Sequence, residues 1–188
     1  MKKVLILASG NGSNAENISK FLKKTDSGNE IKVLCNVKNA GVFKKMTNLK
    51  IPCILFEIDN NAYLIKECQN FKPDLIILAG YLKKIPSKFI EIFKKKIINI
   101  HPSLLPKYGG KGMYGDNVHN QVLLNNEKET GITIHYVNEK YDRGEVIFQK
   151  KINLQKDETL NTIKEKIKNL EMKYFPTIIY QLLYGRKY

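Results

Sequence analysis

Short, continuously apolar runs alternate with helix-period stretches along almost the whole chain, and this alternation limits the fold more than any single motif. The runs read as strands at Val4–Ala8, Ile31–Val37, Cys53–Phe56, Asp74–Ala79, Ile97–Ile100, Ile132–Val137 and Val146–Gln149. Helices are expected at about Ala15–Lys24, Val42–Leu49, Ala62–Phe71, Ser87–Phe93, Asn117–Asn125 and along a stretch from Thr159. Most early strands are apolar throughout, as strands are when helices cover both faces of a parallel sheet. Strand–helix–strand repetition with right-handed crossovers predicts an α/β fold, one domain over residues 1–188 built on a doubly wound, mostly parallel twisted sheet. The closely spaced strands after Gly131 predict an antiparallel pair. Pro176 falls inside the last helix and is expected to kink or break it.

Composition removes several function classes. No apolar run approaches the 18 or so residues needed to span a bilayer. The start, Met1–Lys2–Lys3 followed by Val4–Ala8, has a signal peptide's charge but too short an apolar core, and it runs straight into Ser9–Gly10–Asn11–Gly12. Cys35, Cys53 and Cys68 are odd in number and not closely paired, so reduced thiols in a cytoplasmic protein are expected. The net charge is +14, yet of 32 basic residues only Arg143 and Arg186 are arginines. Base-edge readout favours the bidentate Arg fork, and the lysines are scattered, so no nucleic-acid partner is expected. A positive surface still attracts anionic small molecules.

The first loop, Ser9–Gly10–Asn11–Gly12–Ser13–Asn14–Ala15, leaves the first strand and opens the first helix. Gly10, Gly12 and Ala15 satisfy the G-x-G-x-x-A dinucleotide fingerprint. That fingerprint also needs an acid at the end of the second strand, where this chain has Asn36, Val37, Lys38 and Asn39. A dinucleotide is therefore disfavoured, and a phosphate monoester is well served by Gly12, Ser13 and Asn14. A plain Gly/Asn turn with Ser or Asn as helix N-cap fits the same residues.

The fifth strand ends in Asn99–Ile100–His101–Pro102–Ser103–Leu104–Leu105–Pro106–Lys107–Tyr108. Strand period puts Asn99 and His101 on one face, at the carboxyl end where open α/β sheets bind ligands. An amide donor beside an imidazole can serve a developing oxyanion and move a proton at the same carbonyl. In isolation both also fit hydrogen-bonded residues closing a strand. Asp142–Arg143–Gly144 reads as a hairpin turn or as a carboxylate that orients His101 and favours its imidazolium. His119 and His135 are weaker candidates, and His135 fits a satisfied core or surface histidine. No Cys/His spacing suggests a metal site.

Taken together these motifs are specific. The chain resembles the glycinamide ribonucleotide formyltransferases, the folate-dependent transformylases of de novo purine synthesis, over nearly its full length. The resemblance runs through Leu7–Asn14, Pro73–Tyr81, Asn99–Tyr108, Gly131–His135 and Tyr141–Gly144. It implies a Rossmann-like formyltransferase fold and 10-formyltetrahydrofolate as co-substrate, with no metal. Asn99, His101 and Asp142 match the family's catalytic set. Gly12, Ser13 and Asn14 would hold the ribonucleotide phosphate, with Lys168 and Glu171 on the glycinamide substrate. On pattern alone Glu171 is a solvent-facing helix carboxylate. Leu82, Lys83, Lys84 and Ile85, together with Asn99 and the loop Asn138, Glu139, Lys140, Tyr141 and Asp142, would cradle the pterin and formyl group.

The implied chemistry is formyl transfer from the folate to the amine of 5'-phosphoribosylglycinamide through a tetrahedral species. Asn99 and a protonated His101 would stabilise its oxyanion, Asp142 would keep His101 charged, and a water between them would relay the proton. Three departures from the family pattern stand out. Gly109–Gly115 is longer and richer in glycine, a common arginine is replaced by Asn60 or Asn61, and Lys83–Lys84 adds charge beside the folate pocket. Methionyl-tRNA formyltransferases and formyltetrahydrofolate deformylases share the catalytic set but usually carry an added domain, for which this chain is read as leaving no room. Sugar-nucleotide formyltransferases share the set too. A basic nucleic-acid-binding module is the non-enzyme rival, disfavoured by the scarcity of arginine. The partners expected are small molecules, without a membrane, for a monomer or weak homodimer.

Overall fold

The computed structural model of the chain describes residues 1–57 and 61–185. Its strands are β1 (Lys3–Ala8), β2 (Glu30–Cys35), β3 (Cys53–Leu55), β4 (Leu75–Leu78), β5 (Ile97–His101), β6 (Glu129–Tyr136) and β7 (Val146–Asn153). The helices are α1 (Ser13–Thr25), α2 (Gly41–Asn48), α3 (Asn61–Phe71), α4 (Ser87–Ile92), α5 (Asp116–Leu124) and α6 (Leu160–Tyr184). The expected elements are all present, with β6 and β7 longer than their apolar runs suggested. Asn60 lies outside the described residues.

One sheet holds the seven strands in the order β3-β2-β1-β4-β5-β6-β7. The first five strands run parallel, and β6 and β7 are antiparallel, as the close spacing after Gly131 predicted. Strand period divides the core. Val4, Ile6 and Ala8 face α1, α2, α5 and α6 through Ile18, Met46, Val122, Ile167 and Phe175. Leu5 and Leu7 face α3 and α4 through Leu64, Cys68 and Phe89. Both faces are covered, which explains strands with no polar alternation. β1 and β4 are neighbours whose following helices lie on opposite faces, so the chain opens a crevice at their carboxyl ends. Among the described residues no helix is long and apolar enough to cross a membrane.

The break expected at Pro176 does not occur: α6 passes through it, with the proline ring buried. Proline has no N–H, so the Met172 carbonyl four residues earlier lacks its helical donor. The Asn17 side-chain amide of α1 supplies one, Nδ2 donating to that carbonyl at 2.7 Å.

The segment after His101 is fixed by a buried hydroxyl. Thr133 is fully buried on β6. Its Oγ1 donates to the Ser103 carbonyl at 2.6 Å and accepts from Leu105 N–H at 3.0 Å and Gln149 Nε2 at 2.9 Å. Gln149 also donates to the Leu105 carbonyl at 2.8 Å. Thr133→Val, which keeps the shape and removes the hydroxyl, leaves Ser103 and Leu105 backbone groups unpaired. It is expected to lower stability in urea by about 2–4 kcal/mol. A loss under about 0.5 kcal/mol would show that the segment is held by something else.

Candidate active site

Antiparallel pairing of β5 with β6 sets Asn99 opposite His135 and His101 opposite Thr133. The hairpin between β6 and β7 returns Asp142 to the same place. Asp142 Oδ2 lies 3.6 Å from His101 Nδ1, and its Oδ1 lies 3.7 Å from His135 Nε2. Asn99 Nδ2 is 3.2 Å from His135 Nε2. The expected set of Asn99, His101 and Asp142 thus converges, with His135 as a fourth member.

Backbone carbonyls decide where the protons sit. His101 Nε2 is 2.7 Å from the Tyr108 carbonyl, and His135 Nδ1 is 2.8 Å from that of Tyr136. A carbonyl only accepts, so each of these nitrogens carries a hydrogen. In the neutral rings, His101 Nδ1 is a bare acceptor facing Asp142, and His135 Nε2 accepts from the Asn99 amide. Tyr108 is itself held in place: its hydroxyl donates to Glu127 at 2.8 Å.

Burial raises the pKa of Asp142, but it is outweighed by the nearby His135 ring, the Gly110 N–H and the positive charge that either imidazole carries when protonated. The carboxyl ends below its ordinary range. His101 goes the other way from expectation. Burial pushes its pKa below 6.5, against the pull of Asp142 and the Tyr108 carbonyl, with His135 adding repulsion. The Asp142 carboxylate favours the imidazolium, but desolvation of a side chain only 4% exposed is the larger effect and favours the neutral ring.

Two loops admit this arrangement. Gly110 N–H donates to Asp142 Oδ2 at 2.8 Å, and a Cβ on Gly109 would meet Leu105 at 2.5 Å. A Cβ on Gly144 would strike the Tyr136 carbonyl, so the hairpin closes on His135 only with glycine there. Asn138 is spent inside the hairpin, accepting from Lys140 N–H and donating to the Arg143 carbonyl. Its side chain thereby shapes the loop.

At the other end of the crevice Gly12 is the N-cap of α1, at φ 73°, with no side-chain cap. A Cβ there would lie 2.5 Å from Val42 Cγ2. Neither Ser13 nor Asn14 caps the helix, so the N–H groups of its first turn stay open to an anion. Lys45 of α2 reaches the same point, its Nζ 3.5 Å from Ser13 Oγ and 3.1 Å from Glu16. Asn36, where a dinucleotide fold needs an acid, accepts from Ser9 Oγ at 2.6 Å instead.

The Asn14 side chain turns toward α6. Its Nδ2 donates to Glu171 at 2.9 Å, and its Oδ1 is buried without a hydrogen bond. The side chain therefore offers an acceptor, which suits an N–H or hydroxyl and repels phosphate; only its backbone N–H suits the anion. Glu171 is part-buried, not solvent-facing as its pattern suggested. Burial raises its pKa, partly offset by the Asn14 bond. Lys168 is exposed one turn earlier on α6.

The two segments expected to cradle a folate face each other: Lys84 Nζ lies 5.8 Å from the centre of the Tyr141 ring. Leu82, Lys83, Glu139 and Lys140 are exposed, and Leu82 N–H donates to Ser9 Oγ at 3.1 Å. Ile85 is buried in the core, so only its backbone can face a ligand. A hollow of about 650 Å³ opens against Asn138, Glu139, Lys140 and Arg143. The outer half of the glycine-rich loop lines a separate hollow of about 700 Å³ with α5. His119 is buried on α5, with Nδ1 unbonded and outside the hydrogen-bonded cluster.

Two contributors, Lys45 and Tyr108, escaped the sequence reading, and His135 was only a weaker candidate in it. His135 alternates correctly for a core strand residue, and only its register with Asn99 identifies it. Lys45 is one lysine among many. Tyr108 acts through its carbonyl, which no side-chain pattern shows.

Comparison with known proteins agrees with this geometry. The profile of the family described as formyl transferase matches residues 2–179. Phosphoribosylglycinamide formyltransferase of Bacillus subtilis is 38% identical, over 97% of this chain and 95% of its own. The Haemophilus influenzae protein of that name is 31% identical, over 99% of this chain and 89% of its own. The crystal structure of phosphoribosylglycinamide formyltransferase from Bacillus halodurans superposes with a TM-score of 0.88 at 29% identity, covering 97% of this chain and 96% of that one. Glycinamide ribonucleotide transformylase 1 from Geobacillus kaustophilus gives 0.88 at 30%, covering 97% and 99%.

An NMR titration checks the protonation argument. His101 is expected to titrate below 6.5 in the wild-type protein. Asp142→Asn removes the charge that favours the imidazolium, so the midpoint falls further. A midpoint above 6.5, or a rise in the variant, would contradict the dominance of burial.

Proposed function

The chain belongs to the formyl transferase family, and from that premise we propose that it passes a formyl group from 10-formyltetrahydrofolate to the amine of 5'-phosphoribosylglycinamide. The observation that carries this reading is Asp142 set between His101 and His135 with Asn99 alongside. Residues 1–188 are taken as one catalytic domain serving de novo purine synthesis. The folate supplies the reacting formyl carbon.

Asn99 has two amide hydrogens. One is directed at His135 Nε2, which leaves the other for the oxygen that gains charge as the amine attacks. His101 Nδ1 is unprotonated at rest and takes the proton that the amine sheds. Asp142 then acts on the charged imidazolium, where a carboxylate 3.6 Å away is most effective. His101 returns the proton to N10 of the folate as the carbon–nitrogen bond breaks. One N–C bond forms and one breaks, and a proton moves between the two nitrogens.

The remaining contacts divide by charge. Open N–H groups at Gly12–Asn14 and the Lys45 ammonium suit the phosphate. Glu171 and the free Oδ1 of Asn14 suit hydrogen-bond donors on the glycinamide and ribose, with Lys168 near. The folate would lie along the backbone of Leu82–Ile85 and the loop Asn138–Asp142, and Lys83 and Lys84 suit an anionic glutamate tail. The three cysteines are free thiols, which supports a cytoplasmic setting. Within this proposal the enzyme is a monomer or weak homodimer without nucleic-acid or membrane partners.

The test is to mix purified protein with both small molecules and follow tetrahydrofolate release with and without the ribonucleotide. Release only when the ribonucleotide is present is expected, and ribonucleotide-independent release would mean hydrolysis. Asp142→Asn is expected to keep ribonucleotide binding while turnover falls at least on the order of a hundredfold. Undiminished turnover would remove Asp142 from the mechanism. Lys45→Met is expected to raise the ribonucleotide KM roughly tenfold or more, the weight of one charge-assisted contact. The gap should narrow at high salt, and an unchanged KM would take Lys45 out of the site.

A further inference from the structure

Two asparagines one turn apart on α1 grip two successive residues of α6. Asn14 Nδ2 bonds the Glu171 carboxylate at 2.9 Å, and Asn17 Nδ2 bonds the Met172 carbonyl at 2.7 Å. Pro176 lacks an N–H, so the Met172 carbonyl has no helical donor and the amide of Asn17 fills that place, where elsewhere in a helix interior it would have to share a carbonyl with the N–H four residues ahead. One residue beyond the proline the Thr177 hydroxyl donates to the Tyr174 carbonyl at 2.8 Å.

An apolar helix–helix seam alone tolerates sliding. Here the rest of the contact is the shared apolar core of Ile18 and Leu22 with Phe175 and Ile179, an edge-on ring pair, Phe21 with Tyr180 at 6.3 Å, and at the far end the Tyr184 hydroxyl donating to Asn29 at 2.6 Å. Apolar side chains and rings do not fix a register to a fraction of an ångström near Glu171. A backbone carbonyl does, because it cannot change rotamer. We propose that Asn17 is a positioning residue: by docking on the one carbonyl that Pro176 leaves open, it sets the register of α6 on α1 and so holds Glu171 against Asn14 in the acceptor half of the site. This deepens the reading of the site given above and rests on it for the identity of the acceptor.

Two variants separate positioning from mere satisfaction of an orphan carbonyl. Asn17→Ala leaves the Met172 carbonyl unserved and is expected to raise the ribonucleotide KM roughly tenfold, with the folate KM unchanged. Adding Pro176→Ala restores the helical N–H, so the double variant recovers thermal stability. If Asn17 sets register, the ribonucleotide KM of the double variant stays high. If Asn17 only satisfies the carbonyl, KM returns to the wild-type value along with stability, and the proposal is overturned. An unchanged KM in Asn17→Ala overturns it as well. Should the single variant fail to fold, the double variant, which has no orphan carbonyl, carries the test alone.

A second readout needs no activity. The two side-chain amide protons of Asn14, set apart in NMR spectra by the bond to Glu171, should collapse toward free-asparagine values in the double variant. If the wild-type protein transfers no formyl group, the functional reading fails, while this signal still judges the register claim. Collapse upholds it, and an unperturbed Asn14 signal sinks it.

Discussion

A carboxylate kept ionised between two imidazoles, with its side chain only 12% exposed, is the constraint on which the rest of the site depends. Burial works against the Asp142 carboxylate. The Gly110 N–H and the two histidine rings oppose that effect, and each requires something of the chain. Gly110 arrives from the loop after Tyr108, and the segment leading into that loop is clamped at Leu105 by Thr133 and Gln149. The hairpin must turn tightly over His135, which demands glycine at 144. The tautomers are set by carbonyls, which cannot themselves titrate. In the proposed mechanism this arrangement gives a proton acceptor beside a negative charge that becomes useful only once the proton arrives.

The sheet explains why this chemistry lies beside an anion site. β1 and β4 are adjacent and diverge, so the uncapped start of α1, the loop after β4 and the end of β5 open on one crevice. Switching to antiparallel pairing at β5–β6 brings His135 and Asp142 back to the same rim. Without that reversal, a parallel β6 would carry its chain away from Asn99.

Much of this was legible in the sequence, for identifiable reasons. Continuous apolar runs such as Leu75–Leu78 have no alternative reading beside helices of clear period, so the α/β class and the antiparallel end followed. Asn99 and His101 were legible because two polar side chains on one face at a strand end are out of place in a core, and the family resemblance joined them to Asp142. His135 was hidden because a buried histidine in a strand looks like any satisfied core residue until its cross-strand neighbour is known. Glu171 looked like a surface carboxylate because helix period says nothing of a partner 157 residues away. The break expected at Pro176 failed for a related reason: local propensity was overridden by Asn17, a donor from another helix. The effect of burial on His101 was not legible, because proximity to Asp142 can be guessed from a motif, whereas the cost of burial cannot.

The central claim is that Asn99, His101 and Asp142 move an acyl carbon between two bound small molecules rather than to water. Carbon-13 NMR of the reaction with 10-formyltetrahydrofolate labelled at its formyl carbon tests that directly. The account predicts that the label appears as an amide on the glycinamide nitrogen, with free formate negligible and with no transfer when the ribonucleotide is left out. Labelled formate accumulating at the same rate with or without the ribonucleotide would contradict it.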